Sequence, residues 1–441
     1  MYTSGSTGKP KGVVMTHAHL VAAVSGMAEN VPIEQDDVYV SYLPLAHILA
    51  LQIEIILITI GATVCYSDPR ELAKALPMFQ PTLFAGVPKV YEILKSALEK
   101  KIAAGSPVVE LIFQNLMAWK ISVIKAGFDT PVSNLFFKLI SKKVFGGVLR
   151  FGVAGGGPMA ESLQRFCQAC FCCPIIQGYA LTETCVGGCF QATEDNRCGV
   201  VGPPVPCVEV MLQSEPDIKD SAGISYLHTD TVGSKGEAVI GRGEICMRGP
   251  CVSLGYYKLP EKTKEEYDEE GWFHTGDIGQ FTADGVIQIV DRKKNLVKLK
   301  GGEYVALESM ENAFVASPFA VSVCVVANGD LDAPLAIVRA DNEHLEQWAA
   351  DEKIAYESLQ ELAEKQETGK AVLKSMVAAG KEAGLTALEL RVRDCAIITD
   401  VEWTAGNGMT ATMKIDRRQI FNMHADELNA MLKRNGVQPS K

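Results

Sequence analysis

Residues 2–12 read Tyr2-Thr3-Ser4-Gly5-Ser6-Thr7-Gly8-Lys9-Pro10-Lys11-Gly12. The hydroxyl side chains of Thr3, Ser4, Ser6 and Thr7 are interleaved with glycines, and two lysines follow at once. Glycine lets the backbone close on a ligand, the hydroxyls offer hydrogen bonds to phosphate oxygens, and Lys9 and Lys11 supply positive charge. Lys9 is followed by Pro10 rather than by Ser or Thr, which excludes a Walker A loop. A flexible Ser/Gly linker has a similar composition but lacks the ordered Lys-Pro-Lys-Gly ending. The segment therefore reads as a phosphate-binding loop.

Working outward, six further stretches stand in order: Leu43-Pro44-Leu45-Ala46-His47; Gly155-Gly156-Gly157-Pro158; Gln177-Gly178-Tyr179-Ala180-Leu181-Thr182-Glu183-Thr184; Gly271-Trp272-Phe273-His274-Thr275-Gly276-Asp277; Asp291-Arg292-Lys293-Lys294-Asn295; and Met413-Lys414-Ile415-Asp416-Arg417-Arg418. With residues 2–12 they resemble the ordered signatures of the acyl-adenylate-forming superfamily: acyl-CoA synthetases, firefly-type luciferases and peptide-synthetase adenylation domains. The resemblance runs from the first residues almost to the last. It implies a two-step chemistry. A carboxylate attacks the α-phosphate of ATP to give acyl-AMP and pyrophosphate, and a CoA thiol then displaces AMP. Negative charge develops in both steps, so cations and backbone donors placed at that charge supply most of the catalysis.

The resemblance also implies roles residue by residue. Thr3, Ser4, Gly5, Ser6, Thr7, Gly8 and Lys9 would wrap the β- and γ-phosphates. Gly156 and Gly157 would bring backbone to the adenine edge, with Tyr179 against the ring. Thr182 would contact the α-phosphate, and Glu183, with Thr3, would hold the Mg2+ that screens the phosphate charges. Asp277 would accept both ribose hydroxyls, with Arg292 supporting the same ribose. Lys414 would reach the carboxylate and α-phosphate in the first half-reaction; taken alone it reads as a surface lysine in a basic run. Asp291 to Lys293 would be a hinge, and Lys298, Lys300, Gly301 and Gly302 would face CoA after the C-terminal part swings. His47 would line the carboxylate end of the acyl tunnel, the other reading being a satisfied core histidine. Two positions depart from the commonest pattern: Ala180 replaces a glycine, and Met413-Lys414 replaces Gly-Lys, a form that long-chain synthetases also show.

The bulk numbers bound the rest. A length of 441 residues suggests two or three domains. Apolar content of 47% and charged content of 22% are those of a globular chain. A net charge of −11 disfavours a nucleic-acid partner, without opposing ATP or CoA, which need only a local basic site. Thirteen cysteines with no secretory leader read as reduced thiols in a cytosolic setting. Cys167, Cys170, Cys172 and Cys173 have the spacing of a zinc half-site, but a second pair, Cys185 and Cys189, would interrupt the nucleotide motif. A buried helix end running into a strand at 174–177 is the simpler reading. The apolar run 48–64 contains Gln52 and Glu54 and breaks at Gly61, short of a membrane span; it reads as a buried helix followed by a strand at 62–66.

Elsewhere Thr16 is placed to cap a helix to about Met27, residues 82–87 form a strand, and Pro88 opens a helix to about Lys101. This alternation argues for a layered α/β sheet. Residues 105–148 are mostly helical, and an insertion of this length here is typical of long-chain acyl-CoA synthetases. From Asn196 the pattern turns to short strands, with Asp284-Gly285 as a hairpin signal. Residues 291–295 read as a charged, exposed linker, and 346–383 as amphipathic helices.

The expected architecture is thus α/β: a layered large domain over 1–290, shortened at its N-terminus and including a β subdomain at 196–290, a hinge at 291–295, and a mobile α+β domain over 296–441. Relatives of this kind carry a substantial portion ahead of the phosphate loop, so the sequence reads as lacking that portion. The expected activity is a long-chain fatty acid–CoA ligase using ATP, Mg2+ and CoA. The alternatives are a carrier-protein or aryl-CoA ligase, or an inactive nucleotide-binding remnant. The long helical stretch and the Asn407–Thr412 run before Lys414 disfavour the other ligases. The expected setting is cytoplasmic, with no signal or transmembrane segment in these residues, and includes peripheral association with the cytosolic face of an organelle membrane.

Overall fold

The strand–helix alternation of the first two hundred residues closes into a six-stranded sheet. In the computed structural model the residues described are 1–3, 10–128, 130–410 and 414–438. Ser4, Gly5, Ser6, Thr7, Gly8 and Lys9 of the phosphate loop, and Met413 beside Lys414, lie outside the described residues. The chain divides into two units: Met1–Met211 with Ile245–Thr275 and Phe281–Gln288, and Leu212–Glu244 with Gly276–Gln280 and Ile289–Lys441.

In the first unit the sheet order is Thr63–Tyr66, Val38–Ser41, Leu83–Gly86, Phe151–Ala154, Ile175–Tyr179 and Cys189–Phe190. All neighbours are parallel except the last pair. Parallel neighbours need crossovers, and the helices supply them. Thr16 caps His17–Asn30, its hydroxyl accepting the His19 N–H at 3.3 Å. Ile48–Ile60 ends at Gly61, whose φ of 89° is open to glycine at little cost. Pro88 starts Pro88–Ala103 at the position where its missing N–H is harmless. The polar residues of the apolar helix have partners: Glu54 accepts from the Ser41 hydroxyl at 2.6 Å and from Tyr66 at 3.0 Å, and Gln52 donates to the Cys185 carbonyl at 2.9 Å.

The helical stretch resolves into Pro107–Lys125 and Pro131–Phe145. Phe113, Met117 and Lys120, at i, i+4 and i+7, form the buried stripe of the first. Phe113 meets Phe137 and Phe166 edge-on, with ring centroids 5.9 and 6.3 Å away. Pro107–Lys125, with 19 residues, is long and apolar enough by length and composition to cross a membrane, and little of it is buried. Cys167 and Cys170 face the core from Glu161–Phe171, which ends at Cys172 before the strand Ile175–Tyr179. Burial pushes both thiols up, so they behave as small apolar side chains.

At the amino ends of the central strands a polar staple fixes the register. Asp37, just before Val38–Ser41, accepts from both the Arg150 guanidinium at 2.8 Å and the Thr82 hydroxyl at 2.5 Å. Thr82 and Arg150 stand immediately before the two adjoining strands.

The strand-rich stretch after Asn196 includes a sheet ordered Ile287–Arg292, Phe273–Thr282, Val239–Arg248, Glu209–Gln213. The hairpin at Asp284-Gly285 is present, with Gly285 at φ 81° and the Thr282 N–H bonded to the Val286 carbonyl at 2.8 Å.

The second unit is built on Ala320–Val326, Leu335–Ala340 and Cys395–Ile398, antiparallel then parallel. Leu307–Phe314 and Gln366–Glu382 pack apolar faces, including Met310, Phe314, Val372 and Met376, into its core. Residues 291–295 differ from the exposed linker expected. Arg292, Lys293 and Lys294 reach solvent, but Asp291 and Asn295 are buried, at 4% and 7% exposure. The reason is hydrogen bonding: Asn295 donates to Asp291 at 3.2 Å and to Glu308 at 3.1 Å.

Candidate active site

In an open parallel sheet, ligands bind beyond the carboxyl ends of the strands, where loops are free to vary. The motif residues of the first unit stand at those ends. Leu43–His47 follows Val38–Ser41, Gly155–Gly157 follows Phe151–Ala154, and Tyr179 closes Ile175–Tyr179. Thr182–Thr184 then forms a single 3-10 turn. Gly156 has φ 81°, and a Cβ on Gly155 would sit 3.8 Å from the Gly178 carbonyl oxygen, so the glycine loop lies directly against the neighbouring strand. Tyr179 and Thr182 are partly exposed, while Glu183 is 6% exposed. His47 is partly exposed at the N-cap of Ile48–Ile60, where its Nδ1 accepts the Leu49 N–H at 3.3 Å.

The phosphate loop is mounted on a hairpin. Tyr2–Thr3 pairs antiparallel with Lys11–Gly12, so Thr3 and Lys11 face each other at its two ends. Beyond Lys11 the chain is laid along residues 254–257: the Val14 N–H bonds to the Gly255 carbonyl at 2.9 Å and the Tyr257 N–H to the Gly12 carbonyl at 2.7 Å. That contact brings in side chains that local sequence does not mark. The Tyr256 hydroxyl is 2.8 Å from Glu183 Oε1 and also hydrogen-bonds Glu266. Lys11 Nζ lies 3.1 and 3.2 Å from the two Glu266 oxygens and 3.9 Å from the centre of the Tyr256 ring. Burial raises the Glu183 carboxyl, an effect its hydrogen bond from Tyr256 offsets only in part. Burial acts the same way on Glu266, but there Tyr256 and Lys11 outweigh it and hold the carboxyl below its usual range.

A second cluster forms within the second unit. Asp277 is buried, and its Oδ1 is 3.5 Å from Arg292 Nε. Lys414 belongs to the same group: burial lowers its ammonium to about 8, the Arg292 charge adds to this, and Glu308 and Asp277 oppose it. Its backbone is fixed by two bonds to Thr410, N–H to hydroxyl at 3.1 Å and carbonyl to N–H at 2.8 Å. Lys298 and Lys300 stand apart in character, both exposed at the hairpin of Leu296–Lys298 with Tyr304–Ala306.

The residues brought together in the first unit are thus Glu183, Tyr256, Glu266 and Lys11, and in the second Asp277, Arg292 and Lys414. Tyr256 and Glu266 were not among the sequence candidates. Tyr256 is 73 positions from Glu183, and only the pairing of the hairpin with 254–257 joins them.

Residues 1–257 match the family model described as AMP-binding enzyme. Fatty acyl-CoA synthetase B of Dictyostelium discoideum is 32% identical over 98% of this chain and 62% of its own length. Long chain acyl-CoA synthetase 8 of Arabidopsis thaliana is 35% identical over 98% of this chain and 61% of its own. The chain thus spans about three fifths of the curated relatives it matches. Among solved structures, the adenylation domain of a carboxylate reductase from Mycobacterium chelonae superposes with a TM-score of 0.76 at 24% identity, over 98% of this chain and 59% of that one. The corresponding domain from Segniliparus rugosus, solved with AMP and a carboxylic acid, gives 0.75 at 23%, over 98% and 61%. The fold is that of these adenylation domains.

Proposed function

Because the chain belongs to the AMP-binding enzyme family, we propose that it carries the activation of long-chain fatty acids: formation of acyl-AMP from ATP with release of pyrophosphate, then transfer of the acyl group to CoA. The observation that supports this most is the convergence at one sheet edge of Gly155–Gly157, Tyr179, Thr182 and Glu183, with Lys11 at the foot of the phosphate loop tied to Glu183 through Tyr256.

In this reading the glycine loop and Tyr179 hold adenine, and the hydroxyls and backbone of 3–9 with Lys9 hold the terminal phosphates. Thr182 takes the α-phosphate. Asp277 accepts the ribose hydroxyls, and Arg292 Nε, 3.5 Å from its Oδ1, pairs with the same carboxylate. The donor set suits Mg2+: a buried carboxylate, a threonine hydroxyl and nucleotide oxygens are hard ligands, and among the described residues no group of three or more acidic, His or Cys side chains competes as a self-contained metal site. Glu183 and Thr3 would hold the ion, which when bound neutralises phosphate charge. Lys414 brings a second cation to the carboxylate and α-phosphate as the two anions approach. His47, held by its helix cap, borders the carboxylate end of the acyl site. Residues 291–295 act as the hinge between the large domain, 1–290, and the C-terminal domain, 296–441, which after adenylation presents Lys298 and Lys300 to CoA. A peripheral seat on a cytosolic membrane face belongs to the same proposal.

ATP–pyrophosphate exchange with fatty acids of several lengths tests it, on the wild type and on Lys414→Ala. The expected result is fatty-acid-dependent exchange that the variant loses, while preformed acyl-AMP still reacts with CoA. ATP binding without any exchange would end the proposal, and transfer to a carrier protein in preference to CoA would redirect it.

A further inference from the structure

The contacts around Tyr256 form a chain that begins at the phosphate loop and ends at Glu183. Lys11 is the first strand residue after the loop, paired across the hairpin with Thr3. Its ammonium bonds both oxygens of Glu266, the last residue of the short helix Pro260–Glu266. Glu266 receives the Tyr256 hydroxyl, which also touches Glu183 Oε1 at 2.8 Å. The backbone follows the same path, with the Ser253 N–H on the Glu183 carbonyl at 2.8 Å and the Tyr257 N–H on the Gly12 carbonyl at 2.7 Å. Two carboxylates around one hydroxyl repel each other. Lys11 and Lys262, the latter 3.1 Å from Glu266 Oε1, offset that repulsion. Lys11 and Glu266 are well covered, at 13% and 22% side-chain exposure, so the pair is screened less than a surface bridge.

We propose that Lys11, Glu266 and Tyr256 are positioning residues that hold the Glu183 carboxylate in a fixed orientation for a divalent cation and tie it to the strand Lys11–Gly12. The inference rests on the functional reading above, in which Glu183 holds the metal. None of the three need touch the cation. Their work is to remove the freedom of Glu183 and to tie its carboxylate to the strand Lys11–Gly12. Partners that orient a metal-holding carboxylate typically contribute 10–100-fold in metal affinity.

The test measures Mn2+ binding by electron paramagnetic resonance, with α,β-methylene-ATP saturating, on wild type, Tyr256→Phe, Glu266→Gln and Glu266→Ala. Tyr256→Phe and Glu266→Ala should weaken Mn2+ by roughly tenfold. Glu266→Gln, which keeps an acceptor for the hydroxyl, should recover part of that loss. Affinity for the analogue without metal, and the circular dichroism spectrum, should not move. In turnover the same variants should raise the Mg2+ requirement with little change in kcat at saturating metal. Unchanged Mn2+ affinity in folded Tyr256→Phe and Glu266→Ala would overturn the inference alone. A wild type that binds neither analogue nor Mn2+ would overturn the functional reading and the inference with it.

Discussion

The Asp291 carboxylate accepts the backbone N–H of Glu308 at 3.0 Å. It thereby serves a free donor at the start of Leu307–Phe314, and it also accepts from Ser309 N–H at 3.4 Å and from the Asn295 side chain at 3.2 Å. Burial raises this carboxyl from 3.8 to about 7, with the Glu308 charge adding and the hydrogen bonds opposing. A residue proposed as a hinge is thus anchored to the helix that follows it.

A pH dependence results, and its sign is fixed. The folded state holds the Asp291 proton more tightly than the unfolded chain does, so this contribution is full at acid pH and is lost as pH rises through about 4 to 7. Glu311, raised to about 7 chiefly by burial despite Arg417, acts in the same direction. The melting temperature should therefore fall between pH 5 and pH 8 on their account, and by less in Asp291→Asn. Equal differences in variant and wild type would show that Asp291 is not responsible.

Lys414 titrates the other way. Its ammonium is lowered to about 8, so the charge needed to bring two anions together is present at neutral pH and declines above it. With no nucleotide bound, amine-directed acylation of Lys414, followed by mass spectrometry, should reach half its maximum near pH 8. Exchange measured as kcat/KM should decline over the same range, and Lys414→Arg, which stays charged, should lack that decline in whatever activity it keeps. Acylation of Lys414 only at strongly alkaline pH would contradict the assignment.

Much of this was legible in the residues. Thr16, Gly61 and Pro88 are local signals, and the helices they bound appear where their chemistry puts them. The ordered motifs singled out Glu183, Asp277 and Lys414 through a resemblance carried by whole segments, since a lone lysine such as Lys414 reads locally as a surface residue. What local sequence could not carry is pairing at long range. Nothing near Tyr256 points to Glu183, and nothing in Glu266 separates it from Glu265, which bonds Lys262 at an exposed position. The buried state of Asp291 was misread for the same reason, since its partners, the N–H groups of Glu308 and Ser309, come from a later helix.

The Asp277–Arg292 pair gives a test of nucleotide placement that does not depend on the acyl substrate. If Asp277 accepts the ribose hydroxyls, wild type should favour ATP over 2′-deoxy-ATP, and Asp277→Ala should lose most of that preference. The expected loss is about 1–3 kcal/mol, one charge-assisted hydrogen bond. Calorimetric titration of both nucleotides into both proteins measures it. A variant that weakens both nucleotides equally would mean that Asp277 acts only by holding Arg292.

The opposite edge of the sheet should behave differently. Asp37 is 1% exposed, yet it holds the Arg150 guanidinium through both oxygens at 2.8 Å and takes the Thr82 hydroxyl as well. The Glu34 N–H adds a further bond at 2.8 Å. Asp37→Ala strands these donors at the amino ends of adjoining strands, and the cost should be about 3 kcal/mol, the low end for breaking a buried pair, since Arg150 is partly open to water. The strands run from this edge to the one carrying the glycine loop, so nucleotide affinity in the folded variant should stay within about twofold, by the rule that distant, independent sites add. Urea unfolding and nucleotide titration on the same preparation separate the two. Loss of affinity matching the loss of stability would mean that the staple governs the geometry of the site as well as the register of the sheet.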